Sequence, residues 1–122
     1  MKINDQEIRL KTTLRLEDGD HKRCFGPGVA ALLEEIQEQQ SLRAAAANMG
    51  MAYSKAWRII RTAEEAFGCK LLDSTIGGRH GGGAELTEAA ERILTAYRAC
   101  QAEVNAFAQE KFQSGFAFLQ GD

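Results

Sequence analysis

The sequence predicts an α+β fold, mainly α, from three observations. Residues 41–67 read as two helices joined at Gly50, the second carrying several cations. Seven residues, 77–83, hold five of the chain's twelve glycines and lie between two short stretches fit for strands. Apolar residues then recur at spacings of four, three, four and three from Ile93 to Phe107. Two helices linked by a short turn that contains glycine form the unit that presents its second helix to a DNA major groove. A glycine-rich hairpin after it is a wing, and the 3.5-residue repeat is a helix-pairing seam. The expectation is a winged helix-turn-helix with an N-terminal β-hairpin and a long C-terminal dimerisation helix. With 122 residues there is room for one core, so 1–122 is expected to be a single domain.

In chain order, Ile8, Leu10, Thr12, Leu14 and Leu16 alternate with Arg9, Lys11, Thr13 and Arg15. That period of two predicts a half-buried strand. Asp18-Gly19 marks a tight turn, and His21 to Phe25 would return as the partner, giving a β-hairpin over 8–25. Pro27 suits a first helical turn. Val29, Leu32, Leu33 and Ile36 then share one face of a helix reaching about Gln40. Ser41 is a natural N-cap for a helix over 42–48, which Gly50 ends. A third helix is expected from Ala52 to Phe67, completing a three-helix core over 27–67. Ala56, Ile59, Ile60, Ala63 and Phe67 form its buried stripe, and Gly68 stops it. Cys69 to Thr75 and Ala84 to Leu86 would flank the wing, 69–86. Thr87 caps the last helix, 87–113, with Glu88 and Glu91 near its positive end. About 25 residues of helix extend roughly 37 Å, too far for this small body to cover, so a second chain is the expected cover. Ile93, Tyr97, Cys100, Val104 and Phe107 are the expected dimer contacts, the alternative being a seam packed on its own domain.

Composition narrows the function. Hydrophobic residues make up 44% and charged residues 26%, ordinary for a folded chain, so wholesale disorder is not expected. No apolar run approaches a membrane span, and the N-terminus lacks the apolar core of a secretory signal; the expected compartment is the cytoplasm. The formal charge of −2 is unevenly spread. Residues 1–40 hold six Lys/Arg against eight Asp/Glu, residues 81–122 three against six, and residues 41–80 six against three. The only cationic third carries the helix-turn-helix outline, and a DNA-facing patch on an acidic body is consistent with that.

Tyr53, Ser54, Lys55, Arg58 and Arg61 bring hydroxyls and cations to the solvent side of the third helix. Such groups bond base edges or phosphates; a merely solvated face is the plainer reading. With Arg43 on the preceding helix and Arg79 and His80 in the wing, they make up the expected DNA contacts. Trp57 fits core or contact. The glycine loop lacks the Lys-Ser/Thr of a phosphate-cradling nucleotide loop. Cys24, Cys69 and Cys100 are widely spaced, without a C-x-x-C pair, and buried reduced thiols are expected rather than a metal or redox site. No nucleophile, base and acid fall together. No enzyme activity, catalytic residue, metal or cofactor is expected.

Residues 41–73 resemble, without a gap, the helix-turn-helix of LysR-type regulators. The run Ala52-Tyr53-Ser54-Lys55-Ala56-Trp57, with Gly77-Gly78-Arg79-His80-Gly81-Gly82-Gly83-Ala84, Leu86-Thr87 and Tyr97, resembles more closely the N-terminal winged-helix domain of the molybdate-responsive ModE family. The similarity spans about residues 8–107. It implies a bacterial or archaeal transcription regulator, dimeric through flanking helices, with Tyr53, Ser54, Lys55 and Arg58 in the recognition helix and Arg79 and His80 in the wing. Ala52 stands where such helices often begin with Ser, and Asp73-Ser74-Thr75 supplies no cation where an Arg often follows the strand. The chain stops where the family's molybdate-binding domains would begin, so no small-molecule effector domain is evident. The expected partners are duplex DNA, at an inverted repeat, and a second copy of the chain. A protein-interaction module that kept the fold and lost DNA affinity is the alternative.

Overall fold

The computed structural model describes residues 1–74 and 83–121. They fall into two compact units, residues 14–97 and a second made of residues 1–13 with 98–122. Ten elements follow in order: β1 (Lys2–Ile3), β2 (Gln6–Glu7), β3 (Leu16–Glu17), β4 (Arg23–Phe25), α1 (Pro27–Gln39), α2 (Leu42–Asn48), α3 (Tyr53–Phe67), β5 (Leu72–Ser74), β6 (Ala84–Leu86) and α4 (Glu88–Gly115), then a 3₁₀ turn at Ala117–Gln120. The architecture is mainly α with three small antiparallel strand pairs, the α+β winged-helix type that the sequence predicts.

In the unit of residues 14–97, Leu32, Leu33 and Ile36 of α1 are fully buried with Ala45 and Ala46 of α2 and Ala56, Ile60 and Ala63 of α3. The four alanines let the three helices approach closely, where one added methylene would be felt. Local chemistry sets the helix ends. The Ser41 hydroxyl accepts a hydrogen bond from the Ala44 N–H at 3.0 Å, satisfying one of the donors left free at a helix start. Gly50 closes the turn between α2 and α3 at φ +68°, and Gly68 ends α3 at the same φ, a left-handed conformation that glycine adopts without steric cost. After Gly68, the Glu64 carboxylate accepts from the Leu71 N–H at 2.8 Å and draws the chain into β5.

β5 pairs with β6 in the register Leu72 with Leu86, Asp73 with Glu85 and Ser74 with Ala84. The Ala84 N–H donates to the Gln40 carbonyl at 3.0 Å, tying the base of the wing to the α1–α2 junction. Thr87 works in two directions: its hydroxyl accepts from the Ala90 N–H at 3.1 Å and donates to the Lys70 carbonyl at 2.7 Å. So α4 begins capped, with Glu88 and Glu91 in its first turn.

The hairpin departs from expectation. Of the strand expected over Ile8–Leu16, only Leu16–Glu17 pairs, with Arg23–Phe25, and a bulge interrupts the register. Residues 8–15 belong to no strand, and side chains of α4 take up the carbonyls of Leu10 and Leu14. The Tyr97 hydroxyl donates to the Leu14 carbonyl at 2.8 Å. Inside the second unit, the Gln109 amide donates to the Leu10 carbonyl at 2.9 Å. Sidedness survives without a sheet only in the middle of this stretch: Leu10, Thr12 and Leu14 are half-buried while Arg9, Lys11, Thr13 and Arg15 are exposed, but Ile8 and Leu16, expected on the buried side, are exposed as well.

The second unit also holds an unforeseen hairpin, β1–β2, pairing Lys2 with Glu7 and Ile3 with Gln6. Asn4 and Asp5 turn it at φ 51° and 63°, the left-handed pair that a two-residue hairpin requires and these residue types tolerate best. Phe112 is buried here, 5.4 Å from the Phe116 ring.

Candidate nucleic-acid interface

α3 presents one face to the core and the opposite one to solvent. Ala56, Ile60 and Ala63 are buried, while Ser54, Lys55, Arg58, Arg61 and Thr62 are exposed. The helix begins at Ala52 without a side-chain cap and has no acidic residue in its first turn. Its first backbone N–H groups therefore keep their partial positive charge. Arg58 and Lys55 form no ion pair with any described residue, so their charges are open to a ligand. The Thr62 hydroxyl donates to the Arg58 carbonyl at 2.8 Å, a bond within the helix that leaves the guanidinium uncommitted.

One flank of α3 is built from residues four apart. Tyr53 and Trp57 meet edge to face with centroids 6.3 Å apart, and the Arg61 guanidinium lies 5.7 Å from the Trp57 ring centre. Arg43, reaching across from α2, sits 4.2 Å from the Tyr53 ring centre. Cation–π contacts of this kind hold a cation in place without neutralising it. Trp57 is half-buried against the core and carries Arg61, while Tyr53, edge-on to it, carries Arg43. The opposite flank, with Lys55, Ile59 and Thr62, faces Arg23 of β4 across a cleft of about 220 Å³. Sequence reasoning missed Arg23, whose only signal is its place in a short strand followed by a buried Cys and Phe.

Thus Arg43, Tyr53, Ser54, Lys55, Arg58 and Arg61 come together on and beside α3. Arg79 and His80 lie outside the described residues. The residues expected at a dimer seam divide. Ile93 is half-buried and Tyr97 is buried in its own unit, its ring edge-on to Phe25 at 5.0 Å. Cys100, Val104 and Phe107 are exposed, Phe107 at 60%. All three cysteines are free thiols. Among the described residues no three His, Cys, Asp or Glu gather to hold a metal, and no helix is long and apolar enough to cross a membrane.

The family model of bacterial regulatory helix-turn-helix proteins, lysR family, matches residues 30–91, half of the chain, from α1 into the first turn of α4. The chain belongs to this family. Within it the similarities run to ModE-type proteins. The chain is 36% identical over 98 residues to the molybdenum-pterin-binding protein MopB of Rhodobacter capsulatus, a match covering 70% of this chain and 36% of that protein. It is 38% identical over 71 residues to the transcriptional regulator ModE of Haemophilus influenzae, covering 58% and 28%. It is 35% identical over 71 residues to the molybdenum transport protein ModE of Herbaspirillum seropedicae, covering 58% and 26%. The chain thus spans about a third or less of the length of these curated relatives. The lysR-family match spans the whole of α2, the turn and α3, so the cationic outer face described above is that of a family helix-turn-helix.

Proposed function

We propose that this chain is a sequence-specific DNA-binding transcription regulator that acts as a homodimer on an inverted-repeat site. α3 enters the major groove, with Ser54, Lys55 and Arg58 at base edges and Arg43 and Arg61 toward the backbone. Arg79 and His80 of the wing lie on the flanking duplex. The observation that carries this reading is the exposed hydroxyl and cationic face of α3, free of acidic partners among the described residues in a chain whose net charge is negative. Lys and Arg donate to guanine and phosphate oxygens, and uncompensated exposed cations are what a polyanion needs.

Two copies, paired through Cys100, Val104 and Phe107 of α4, would meet half-sites about 34–36 Å apart, one turn of duplex. Genes of molybdate uptake or of molybdoenzymes are the proposed targets, since the relatives' names speak of molybdenum transport and molybdenum-pterin binding. A second reading, a protein-interaction module that retains the fold without DNA affinity, is favoured by the net charge of −2.

A mobility-shift measurement on random and selected duplexes separates the two. Phosphate contacts are strongest at low salt, so the regulator retards duplex at micromolar dimer and about 50 mM salt. Failure to bind there would leave the interaction module standing.

A further inference from the structure

The cleft beside α3 continues away from it. Lys55, Arg58 and Thr62 form one wall and Arg23 and Val29 the other. A second cleft of about 390 Å³ shares Arg23 and Val29 and runs on past Arg15 to Gly26 and Pro27 at the start of α1. Between them the two clefts are lined by four cations and no carboxylate, in a chain with more acidic than basic residues. None of the four makes an ion pair with a described residue.

Arg15 passes over this end. Its stem lies against Gly26, where an added Cβ would come within 3.3 Å of the Arg15 Cγ and press on it. α1 starts there with neither a side-chain cap nor an acidic residue in its first turn, so its free N–H groups add to the positive potential. Arg15 and Arg23 are both exposed and lie along an open trough. That form suits a passing polyanion better than the enclosure of a small oxyanion.

Position decides what the trough is for. A helix seated in the roughly 12 Å major groove has a phosphate strand on each side. Arg43 lies on the flank of Tyr53, Trp57 and Arg61. Arg23 lies across α3 from it, on the flank of Lys55, Ile59 and Thr62. We propose that Arg15 and Arg23 form a phosphate clamp on the β3–β4 hairpin, gripping the DNA strand opposite the one that Arg43 faces. This rests on the reading that α3 enters the major groove. The clamp carries no sequence information of its own, because phosphates are alike along the duplex; it fixes the tilt and register of α3 so that Arg58 meets its base.

The test is the salt dependence of duplex binding for the wild-type chain, Arg15→Ala, Arg23→Ala, the double variant and Arg23→Lys, on a selected site and on random duplex. Each alanine should lower the magnitude of the slope of log K against log salt by about one, and weaken both duplexes by a similar factor. Arg23→Lys should keep the wild-type slope, since a phosphate needs only the charge. Unchanged slopes in a double variant with wild-type circular dichroism and melting would overturn the clamp. So would a loss confined to the selected site, which would make these arginines base readers. A wild-type chain that binds neither duplex at about 50 mM salt would instead overturn the DNA reading beneath it.

Discussion

Replacing Tyr97 by Phe tests what the sequence pattern and the structure assign differently. The hydroxyl donates to the Leu14 carbonyl at 2.8 Å, and the ring is 6% exposed and edge-on to Phe25. Tyr97→Phe keeps the ring and removes the hydrogen bond to the Leu14 carbonyl. A typical bond of this kind is worth about 0.5–1.5 kcal/mol net, and a carbonyl stranded in a buried site costs about 1–3. Leu14 is only half-buried, so water restores part of the loss and about 1 kcal/mol is expected. For a domain near this size that lowers Tm by about 4 °C. Tyr97→Ala also removes the ring and its aromatic pairing with Phe25, for about 3–5 kcal/mol. Thermal and urea melting followed by circular dichroism give the stability, and sedimentation equilibrium gives the association constant of the chain. If Tyr97→Phe melts like the wild type while self-association weakens, Tyr97 works between subunits and the core assignment made here is refuted.

Three further expectations follow from the same geometry. Arg58→Ala removes an exposed cation that has no ion pair among the described residues, so melting should stay within about 0.5 kcal/mol of wild type. Binding to the selected site should lose about 1–3 kcal/mol and relax specificity at one base position, which competitive selection of bound sequences would detect. Phe107→Asp introduces a charge where the ring is 60% exposed; sedimentation should show a folded monomer, and an unchanged dimer would remove Phe107 from the seam. The Asp18 carboxyl lies below its ordinary value of 3.8, chiefly because it accepts the backbone N–H of Lys22 and then that of Asp20. A depressed carboxylate stabilises the fold above its unfolded pKa, and that contribution fades as pH falls through the folded value. The turn between β3 and β4 should therefore keep this contribution until the pH falls below the ordinary carboxylate value, and an NMR titration of Asp18 at or above the ordinary carboxylate range would contradict this.

Much of the framework was legible because it is decided within a few residues. Leu42–Asn48 and Ala84–Leu86 occupy the expected ranges; Ser41 caps as its residue type suggests, and Gly50 and Gly68 sit where only a left-handed backbone ends a helix cleanly. The β1–β2 hairpin escaped notice because two-residue strands are shorter than any period can reveal. The alternation gave the right sidedness from Leu10 to Leu14, failed at Ile8 and Leu16, which are exposed, and gave the wrong partner, since burial on one side says nothing of whether a strand or a helix supplies it. The bond from the Leu71 N–H to the Glu64 carboxylate, which ties α3 to β5, joins residues seven apart around a helix end, and no periodic pattern announces it.

Local hydrogen bonding, steric limits and the period of apolar residues act over one or two turns of chain, and through them the sequence by itself determined the helices, their ends, the turn at Gly50 and the outward row from Ser54 to Arg61. Only the tertiary structure decided which distant side chains would be neighbours. It brought Arg15 and Arg23 round to Lys55 and Arg58, set Arg43 on Tyr53, and turned Tyr97 inward to Phe25 and Leu14. Such meetings depend on how helices and hairpins close around the alanine-lined core, and a residue's own neighbours in sequence carry no record of that closure.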